Sequence, residues 1–499
     1  RALESSTSAG TCRILQPGFR PPCVSTVTSI QIVDRIFYLL YPDLSLKKIL
    51  YKSGLSKSVV KLSTGGYMPL LQAIKDKSVK IGVVGLGYVG LPMAVTVAKK
   101  GFEVLGFEVS SYAIEHVNAG ENYIGDVTDQ DLKDVVSAGK LSATSDYSRM
   151  KEVNVVLIAV PTPLDLYHQP DTTYIEASTK AMAHHLNKDT LVVLESTTYP
   201  GTTREIIVPE LEKAGLKVGK DVFVAFSPER VDPGNETYKT HNTPKVVGGM
   251  TPKCNEISKE FYESVLDAPV HSVSSPEVAE MEKIYENTFR NINIALANEM
   301  TVLCHRMGIS IWEVVDAAKT KPYGFMAFYP GPGVGGHCIP IDPFYLTWKA
   351  REYDFHTRLI ELAGEINIAM PEFVVQRAIS ILNRQGVAIS RAKILLLGAA
   401  YKKDIQDMRE SPIEGVITQL ESYDADFEIH DPYVPEFHHE KNGKMYQTVS
   451  LGNLKKYDLI IVITDHSNVD YQKIADSGVA ILDTRNAMKH ITAKNIELM

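Results

Sequence analysis

The sequence predicts an α/β protein: two doubly wound sheets joined by a long central helix, with an all-helical middle segment between them. Three observations predict it. A short apolar run, Lys80 to Val84, leads through a glycine-dense turn into an apolar helix, and further continuous apolar runs come after it. Such runs mark parallel strands buried on both faces. The stretch from Pro276 to Met307 has no internal proline or glycine, enough for a helix on the order of 45 Å long. A fresh α/β pattern then opens at Lys393-Ile394-Leu395-Leu396-Leu397-Gly398, which argues for a second, smaller sheet.

Composition narrows the class. With 499 residues the chain has room for about two to four domains. Its 44% hydrophobic and 22% charged residues are those of an ordinary globular protein. The net charge of −8 and pI near 6.0 argue against a general polyanion-binding surface, so no nucleic-acid partner is expected. The five cysteines, Cys12, Cys23, Cys254, Cys304 and Cys338, are odd in number and form no CxxC pair. That pattern points to a reducing, cytoplasmic setting and away from disulfides or structural zinc, and no metal is expected. No apolar run reaches the roughly 18 residues of a membrane span, so no membrane partner is expected either.

Residues 1–67 look unlike the rest of the chain. Ser5-Ser6-Thr7-Ser8 through Arg20-Pro21-Pro22 is rich in Ser, Pro and Arg, and the apolar patch from Ile30 to Tyr41 is broken by Asp34 and Arg35. A transit peptide has some of these features. An upstream extension outside the fold, with Met68-Pro69 as the natural start, accounts for them as well and is the expectation here.

The first strand, Lys80 to Val84, feeds Gly85-Leu86-Gly87-Tyr88-Val89-Gly90, a helix runs from Leu91 to Lys100, and a second strand, Glu103 to Phe107, ends on Glu108. GxGxxG alone is weak. Between a strand and a helix, with an acid about 20 residues on, it reads as the dinucleotide fingerprint of a Rossmann-like domain. Gly85 makes the tight turn, Gly87 admits the pyrophosphate, Gly90 lets helix pack on strand, and the helix N-terminus faces the phosphates. Glu108 would accept from the adenosine ribose and repel a 2′-phosphate, so NAD is expected over NADP.

Three more strands end in polar turns: Val153 to Val160 before Pro161-Thr162-Pro163, Thr190 to Leu194 before Glu195-Ser196-Thr197-Thr198, and Val222 to Phe226 before Ser227-Pro228-Glu229-Arg230. Open α/β sheets bind ligands at this edge. Ser and Thr there also cap helices; three such turns in succession favour a site. In the long helix Glu280, Lys283 and Asn287 share one face, while Glu282 and Glu286 suit a solvated stripe.

Gly331-Pro332-Gly333-Val334-Gly335-Gly336-His337-Cys338-Ile339-Pro340-Ile341-Asp342 then presents one cysteine, with an acid four positions on. Glycine lets backbone approach a ligand closely, so this thiol is reachable where the usual cysteine is a buried hydrophobe. Alone, the loop would read as a tight turn; the fingerprint and Lys283 turn it into a candidate site. Helical sequence flanks it from Pro343 to about Gln385. In the second α/β pattern the strands are Lys393 to Leu397, Asp426 to Ile429, Leu459 to Ile463 and Val479 to Leu482. The turn Ala399-Ala400-Tyr401-Lys402-Lys403-Asp404, with Arg409 and Asp483-Thr484-Arg485-Asn486, places cations after strand ends. They suit a diphosphate, as they would suit surface salt bridges.

Taken together, GLGYVGLP (85–92), PTP (161–163), ESTTYPGTT (195–203), SPER (227–230), ENTFRNINIALANE (286–299), GPGVGGHCIPIDPFYL (331–346), YKKD (401–404) and DTRN (483–486) resemble the nucleotide-sugar 6-dehydrogenase family, the UDP-glucose/GDP-mannose dehydrogenases. The resemblance runs from about Val79 to the C-terminus. It implies an NAD-binding domain over 68–270, a helical dimerisation domain with the cysteine loop over 271–385, and a UDP-sugar-binding domain over 386–499. It also implies a homodimer or higher homo-oligomer, and a role in supplying acids for polysaccharide.

The implied reaction takes a UDP-sugar C6 alcohol to the acid with two NAD⁺ and one water, through a thiohemiacetal and a thioester on Cys338. Free thiols ionise only near pH 8.5, so the route calls for a nearby ammonium, for which Lys283 is the candidate. By the same similarity Asn287 holds oxyanion or substrate, Glu229 and Asp342 order or activate water, and Thr198 assists through its hydroxyl. Gly85, Gly87, Tyr88, Val89, Gly90, Glu108, Pro161, Thr162, Thr198 and Arg409 would meet NAD. Tyr401, Lys402 and Arg485 would meet the UDP-sugar, as would Glu229, Arg230, Lys283, Asn287, Tyr329, Gly333, Gly335 and Gly336. The SPERVDPG and CIPIDPFYLTWKARE stretches look most like the branch acting on UDP-N-acetylglucosamine or UDP-N-acetylgalactosamine. UDP-N-acetylmannosamine and UDP-glucose remain alternatives. A Rossmann enzyme making a single hydride transfer would need no Cys338, and an NAD-responsive regulator would need neither Cys338 nor Lys283.

Overall fold

A computed structural model describes residues 67–165, 169–232 and 234–499, and the expectation for residues 1–66 lies outside them. In chain order the N-terminal part reads α1 (Tyr67–Lys75), β1 (Lys80–Val84), α2 (Gly90–Lys99), β2 (Glu103–Phe107), α3 (Ser111–Ala119), α4 (Asp129–Ser137), β3 (Leu141–Thr144), β4 (Val155–Ile158), α5 (Thr173–Ala183), β5 (Thr190–Leu194), α6 (Val208–Lys213), β6 (Val222–Phe226), β7 (Lys245–Gly249), α7 (Pro252–Val265) and β8 (Val270–Val273). The sheet order is β3-β2-β1-β4-β5-β6-β7-β8. All neighbours are parallel except β6 and β7. β4, β5 and β6 are buried along their whole lengths, as their unbroken apolar runs require of strands covered on both faces. The switch in strand order between β1 and β4 opens the crevice where such sheets bind ligands.

Next come α8 (Pro276–Met307), α9 (Ile311–Ala318), α10 (Asp342–Ala350) and α11 (Arg358–Arg384). α8 has 32 residues, about 48 Å at 1.5 Å per residue. Gly308, at φ +70°, ends it in the left-handed conformation that glycine supplies cheaply. The helical stretch expected from Pro343 onward is divided by a turn at Arg351–Tyr353 and by Asp354 at φ +51°. The C-terminal part adds β9 (Lys393–Leu397), α12 (Pro412–Ser422), β10 (Asp426–His430), β11 (Glu436–His438), β12 (Met445–Gln447), β13 (Leu459–Val462), α13 (Tyr471–Ala475), β14 (Ala480–Asp483) and β15 (Ile496–Leu498). Its parallel sheet runs β10-β9-β13-β14-β15, with β11 and β12 as a separate antiparallel pair. This is a second doubly wound order with its own switch point, between β9 and β13.

Of the strands the sequence reading lacks β3, β7, β8, β11, β12 and β15, and of the helices it lacks α1 among others. α1 buries Leu70, Leu71 and Ile74 in the core of the first sheet. β8 and β15 are only partly covered and carry no unbroken apolar run. Among the described residues no helix is long and apolar enough to cross a membrane.

Candidate active site

The inner face of α8 is polar where a packing face would be apolar. Glu280, Lys283, Asn287, Asn291 and Asn298 are all buried on it, and between them they reach three segments. The Glu280 carboxylate accepts from Gly201 N at 2.6 Å, Thr203 N at 2.9 Å and Thr203 Oγ1 at 2.7 Å. Lys283 Nζ donates to the Glu229 main-chain oxygen at 2.6 Å. Asn287 Nδ2 donates to Asp342, and Asn291 Nδ2 donates to the Ile339 carbonyl at 3.0 Å. Asn298 Oδ1 accepts from Gly331 N at 3.0 Å. Buried polar groups demand partners, so one helix face becomes the template on which the loops after β5 and β6 and the cysteine loop are aligned.

That template fixes the cysteine. Ile341 N and Asp342 N donate to the Cys338 carbonyl at 3.2 and 2.9 Å, a turn that leads into α10. Cys338 is partly exposed, whereas Cys254 and Cys304 are buried. Asp342 is 2% exposed. Burial, with Cys338 nearby, pushes its carboxyl up to about 8 against the opposing pull of Lys283 and the Asn287 amide. The group therefore holds its proton at neutral pH. Arg290 donates to Asn287 Oδ1 and so decides which end of that amide faces Asp342. Burial first, and then the Arg409 charge, hold the neighbouring His337 down at about 4.

The loop's glycines make room chiefly for other protein. A Cβ on Gly331 would lie 2.5 Å from Arg485 Nη1, and one on Gly335 would lie 2.6 Å from Tyr401 Cβ. Gly336, at φ +86°, has the Tyr401 ring 3.0 Å from where its Cβ would be, and Gly333 faces Pro412. The glycine density expected to admit a ligand thus also seats the second sheet's loops against the thiol loop. Arg485 Nε donates to the Ile463 carbonyl at 2.8 Å, and Lys402 Nζ lies 2.7 Å from Asp232. Tyr329 stacks on Trp312, and its hydroxyl donates to Asp316 at 2.7 Å.

The turn after β1 fits a dinucleotide. Gly85 sits at φ +86° with its missing Cβ 2.6 Å from the Ala159 carbonyl, and a Cβ on Gly90 would meet the Gly85 carbonyl at 1.8 Å. A Cβ on Gly87 would have nothing within 4 Å. Tight turn, close helix packing and open approach are the three services the fingerprint needs. Val89 precedes the first turn of α2, and the positive end of that helix suits phosphate. Glu108 Oε2 accepts from Leu86 N at 2.8 Å, and Oε1 accepts from Val109 N and Ser110 N at 2.8 and 3.1 Å. A carboxylate has about four acceptor positions, so one is left for a ribose hydroxyl. Arg409 pairs with Asp407 and stacks 3.9 Å over the Tyr88 ring, joining the second sheet to the glycine turn. Pro161 is exposed beside this crevice. Thr162 Oγ1 donates to the Thr197 carbonyl at 2.7 Å, and Thr198 and Thr202 share a hydroxyl bond of 2.8 Å.

Two residues after β6 make bonds within the protein that the sequence did not show. The Glu229 carboxylate turns back on its own loop: Oε1 accepts from Arg230 N and Val231 N, both at 2.8 Å, and Oε2 accepts from Lys245 Nζ at 3.3 Å. Arg230 reaches α8, pairing with Glu286 and, at 3.3 Å, with Glu282, and it donates to the Pro244 carbonyl. Glu282 and Glu286 are therefore ion-pair partners and not a solvated stripe. Arg290, Asn291 and Lys245 carry much of this geometry without having been candidates. The first two stood at i+3 and i+4 from Asn287, a signal the sequence did offer.

Three family models match the chain in order. They are the NAD binding domain (residues 79–266), central domain (277–369) and UDP binding domain (395–490) of the UDP-glucose/GDP-mannose dehydrogenase family. The UDP-N-acetyl-D-glucosamine 6-dehydrogenase of Pseudomonas aeruginosa is 37% identical over 410 residues, 81% of this chain and 95% of that protein. An NDP-N-acetyl-D-galactosaminuronic acid dehydrogenase of Ralstonia nicotianae is 34% identical over 417 residues, 81% of this chain and 95% of that one. The solved structure of a UDP-D-ManNAc dehydrogenase from Pyrococcus horikoshii aligns with a TM-score of 0.76 at 33% identity, covering 84% and 98% of the two chains.

Proposed function

The chain belongs to the UDP-glucose/GDP-mannose dehydrogenase family of NAD-dependent UDP-sugar dehydrogenases, and from that premise we propose that it oxidises C6 of a UDP-2-acetamido sugar, UDP-N-acetylglucosamine foremost. The observation that carries the reading is the convergence of Cys338, Lys283 and Asn287 on the buried Asp342 carboxyl, with Lys283 held in turn by the Glu229 carbonyl and the second sheet's loops packed on the cysteine loop. The choice of sugar is supported by the Pseudomonas relative and by the SPERVDPG and CIPIDPFYLTWKARE stretches.

Bound NAD⁺ supplies the hydride acceptor, one molecule for each oxidation. The chain's residues do the rest. Lys283 stabilises negative charge on the C6 oxygen as the alcohol becomes an aldehyde. The Cys338 sulfur adds to that aldehyde, forming a C–S bond and a thiohemiacetal, and loss of a second hydride leaves the thioester. Water then breaks the C–S bond and frees the thiol. The balance is R–CH₂OH + 2 NAD⁺ + H₂O → R–COO⁻ + 2 NADH + 3 H⁺. Asp342, protonated at neutral pH and held by Asn287, is placed to pass a proton at the sulfur or at the water. Glu229, Thr198, Tyr401, Lys402 and Arg485 complete the proposed site, and Arg230 and Tyr329 border it. A homodimer or higher oligomer is part of the same reading. It is supported by the exposed apolar side chains Tyr285, Phe289, Leu296 and Leu303 on α8 and Leu359 and Leu362 on α11, the kind of surface a second copy would cover. A reducing, cytoplasmic setting suits the free thiol.

The test is a panel of UDP-sugars assayed for NADH formed per sugar. Two NADH, with an acetamido sugar preferred, is expected; one would mean a single-hydride dehydrogenase, and none a regulator. UDP-glucose outperforming the acetamido sugars would overturn the branch assignment. Cys338→Ala should lower acid formation by several orders of magnitude, on the order of what removing a covalent nucleophile costs. Near-normal turnover in that variant would sink the thioester route.

A further inference from the structure

β7 is the strand that reverses direction in the first sheet, and its reversal has a chemical consequence. The register pairs Ala225 with Gly249 and Phe226 with Gly248. Carried onward, it sets Glu229 opposite Lys245, and the Ser227 Oγ bond to the Val246 carbonyl at 2.7 Å agrees. An antiparallel strand begins at the edge where its neighbour ends. The first residue of β7 is therefore delivered to the ligand-binding edge of the sheet, where a parallel strand would bring its last.

That first residue is a lysine, 3% exposed. Lys245 Nζ lies 3.3 Å from Glu229 Oε2 and 3.5 Å from Glu195 Oε1, and 5.3 Å from the centre of the Tyr262 ring. The Tyr262 hydroxyl donates to Glu195, whose other oxygen is buried with no partner among the described residues. One ammonium thus joins the ends of β5 and β6, the start of β7 and helix α7. A buried ion cluster is a poor stabiliser, since apolar side chains of similar volume commonly serve as well or better. What this one does have is a connection to the site: the residue it grips by the carboxylate, Glu229, is the residue whose carbonyl holds Lys283 at 2.6 Å.

We propose that Lys245 is a positioning residue, clamping the Glu229 carboxylate so that the Glu229 main-chain carbonyl holds the Lys283 ammonium in place for catalysis. The inference rests on the dehydrogenase reading above and deepens it. The charges facing Glu229 are Lys245 from β7, Lys283 from α8, Glu195 from the turn after β5 and Arg230 from its own turn. Burial pushes the Glu229 carboxyl up, and Lys245, the loop N–H groups and Lys283 together outweigh it and keep the group ionised. Removing Lys245 removes the largest of those opposing influences. Glu229 would then hold its proton to higher pH, release its loop and loosen Lys283.

The experiment compares Lys245→Met, Lys245→Arg, Glu229→Gln and the double variant Lys245→Met/Glu229→Gln with the wild type, using UDP-N-acetylglucosamine and NAD⁺ and following melting temperature alongside. Lys245→Met should lose about 100-fold in kcat, the cost of a misplaced catalytic group, with both KM values within about threefold, and the acid limb of its kcat profile should move to higher pH. Lys245→Arg, which keeps the charge, should recover at least tenfold of that loss. The double variant, which removes the Glu229 charge together with its cation and leaves Glu195 with the Tyr262 hydroxyl, should be no slower than Glu229→Gln alone, because both changes cut one link. A folded Lys245→Met enzyme with wild-type kcat and pH profile overturns the proposal. If Lys245→Met fails to fold, a folded double variant much slower than Glu229→Gln alone does so too. A wild-type enzyme that forms no NADH overturns the dehydrogenase reading instead, so the two failures are told apart.

Discussion

The two sheets end their second strands alike, and the two carboxylates found there have opposite duties. Glu108 follows β2, and Asp431 follows β10. Each accepts from the backbone just after its sheet's first strand: Glu108 from Leu86 N at 2.8 Å, Asp431 from Ala399 N and Ala400 N at 2.6 and 3.0 Å. Asp431 goes further. It accepts from His466 Nε2 at 2.9 Å and, through Oδ1, from Tyr433 N and Val434 N at 2.7 and 3.0 Å. It is 6% exposed and its acceptor positions are full, while Glu108 is half-buried and keeps one. One architecture therefore yields two modes of recognition. In the first sheet the turn after the opening strand stays available to a ligand. In the second it is closed by the protein's own carboxylate, so the ligand contacts proposed for that sheet fall to side chains such as Lys402 and Arg485.

Opening the closed corner should cost most. Asp431→Ala would strand the N–H groups of Ala399 and Ala400 and the buried His466 ring together. Breaking a buried, hydrogen-bonded charge in this way costs about 3–5 kcal/mol, readable as a fall in the urea midpoint of the second sheet's transition. A loss under about 1 kcal/mol would mean that water or a neighbour replaces the carboxylate, and the contrast with Glu108 would fail.

Removing only the charge should cost less and should depend on pH. Burial pushes the Asp431 carboxyl up, but His466 and the two alanine N–H groups outweigh it and hold it at about 2. A folded pKa below the unfolded one gives stability that is present above about pH 4 and is lost as pH falls toward 2. Its size at neutral pH is roughly 2–3 kcal/mol. Thermal melts of wild type and Asp431→Asn should therefore differ clearly at pH 6 and converge as the acid limb is reached. A gap that stays constant into that limb would show that shape, and not charge, keeps the corner shut.

Much of this contrast was legible in the residues. Glu108 announced itself by its distance from the glycine turn, and the strands at Lys80, Val153, Thr190 and Val222 were marked by apolar runs. The face of α8 was visible as the spacing of Glu280, Lys283 and Asn287. Asp431 gave no such sign, because the turn it closes, Gly398-Ala399-Ala400, has no motif and its partner His466 lies 35 residues away. Lys245 was hidden for the same kind of reason. Its meaning depends on β7 running backwards, and a five-residue strand ending in two glycines does not declare its direction. Arg230 was legible as a polar residue after a strand end, but its pairing with Glu282 and Glu286 on a neighbouring helix was not. Local pattern reveals strands, turns and faces. It does not reveal which charges from distant segments will be buried against one another.

The smallest effect is expected at the open corner, and it should appear in binding and not in folding. The Glu108 carboxylate holds Leu86 N, Val109 N and Ser110 N, but Val109 is 84% exposed, so water can take over at least that side of the turn. Glu108→Ala should consequently move the melting temperature little. The ribose hydroxyl that the remaining acceptor position would hold has no such replacement in a closed complex. Loss of a hydrogen bond to a charged group costs about 1.5–3 kcal/mol, so the KM for NAD⁺ should rise by roughly tenfold or more with kcat nearly unchanged, since the residue stands away from Cys338. The same carboxylate should repel a 2′-phosphate. Wild type should then strongly prefer NAD⁺, and Glu108→Ala should narrow the preference from both sides, weakening NAD⁺ and relieving NADP⁺. Comparable efficiency with the two cofactors in the wild type would contradict this. So would a Glu108→Ala variant that binds NAD⁺ as before but melts many degrees lower, because Glu108 would then be a closed corner like Asp431.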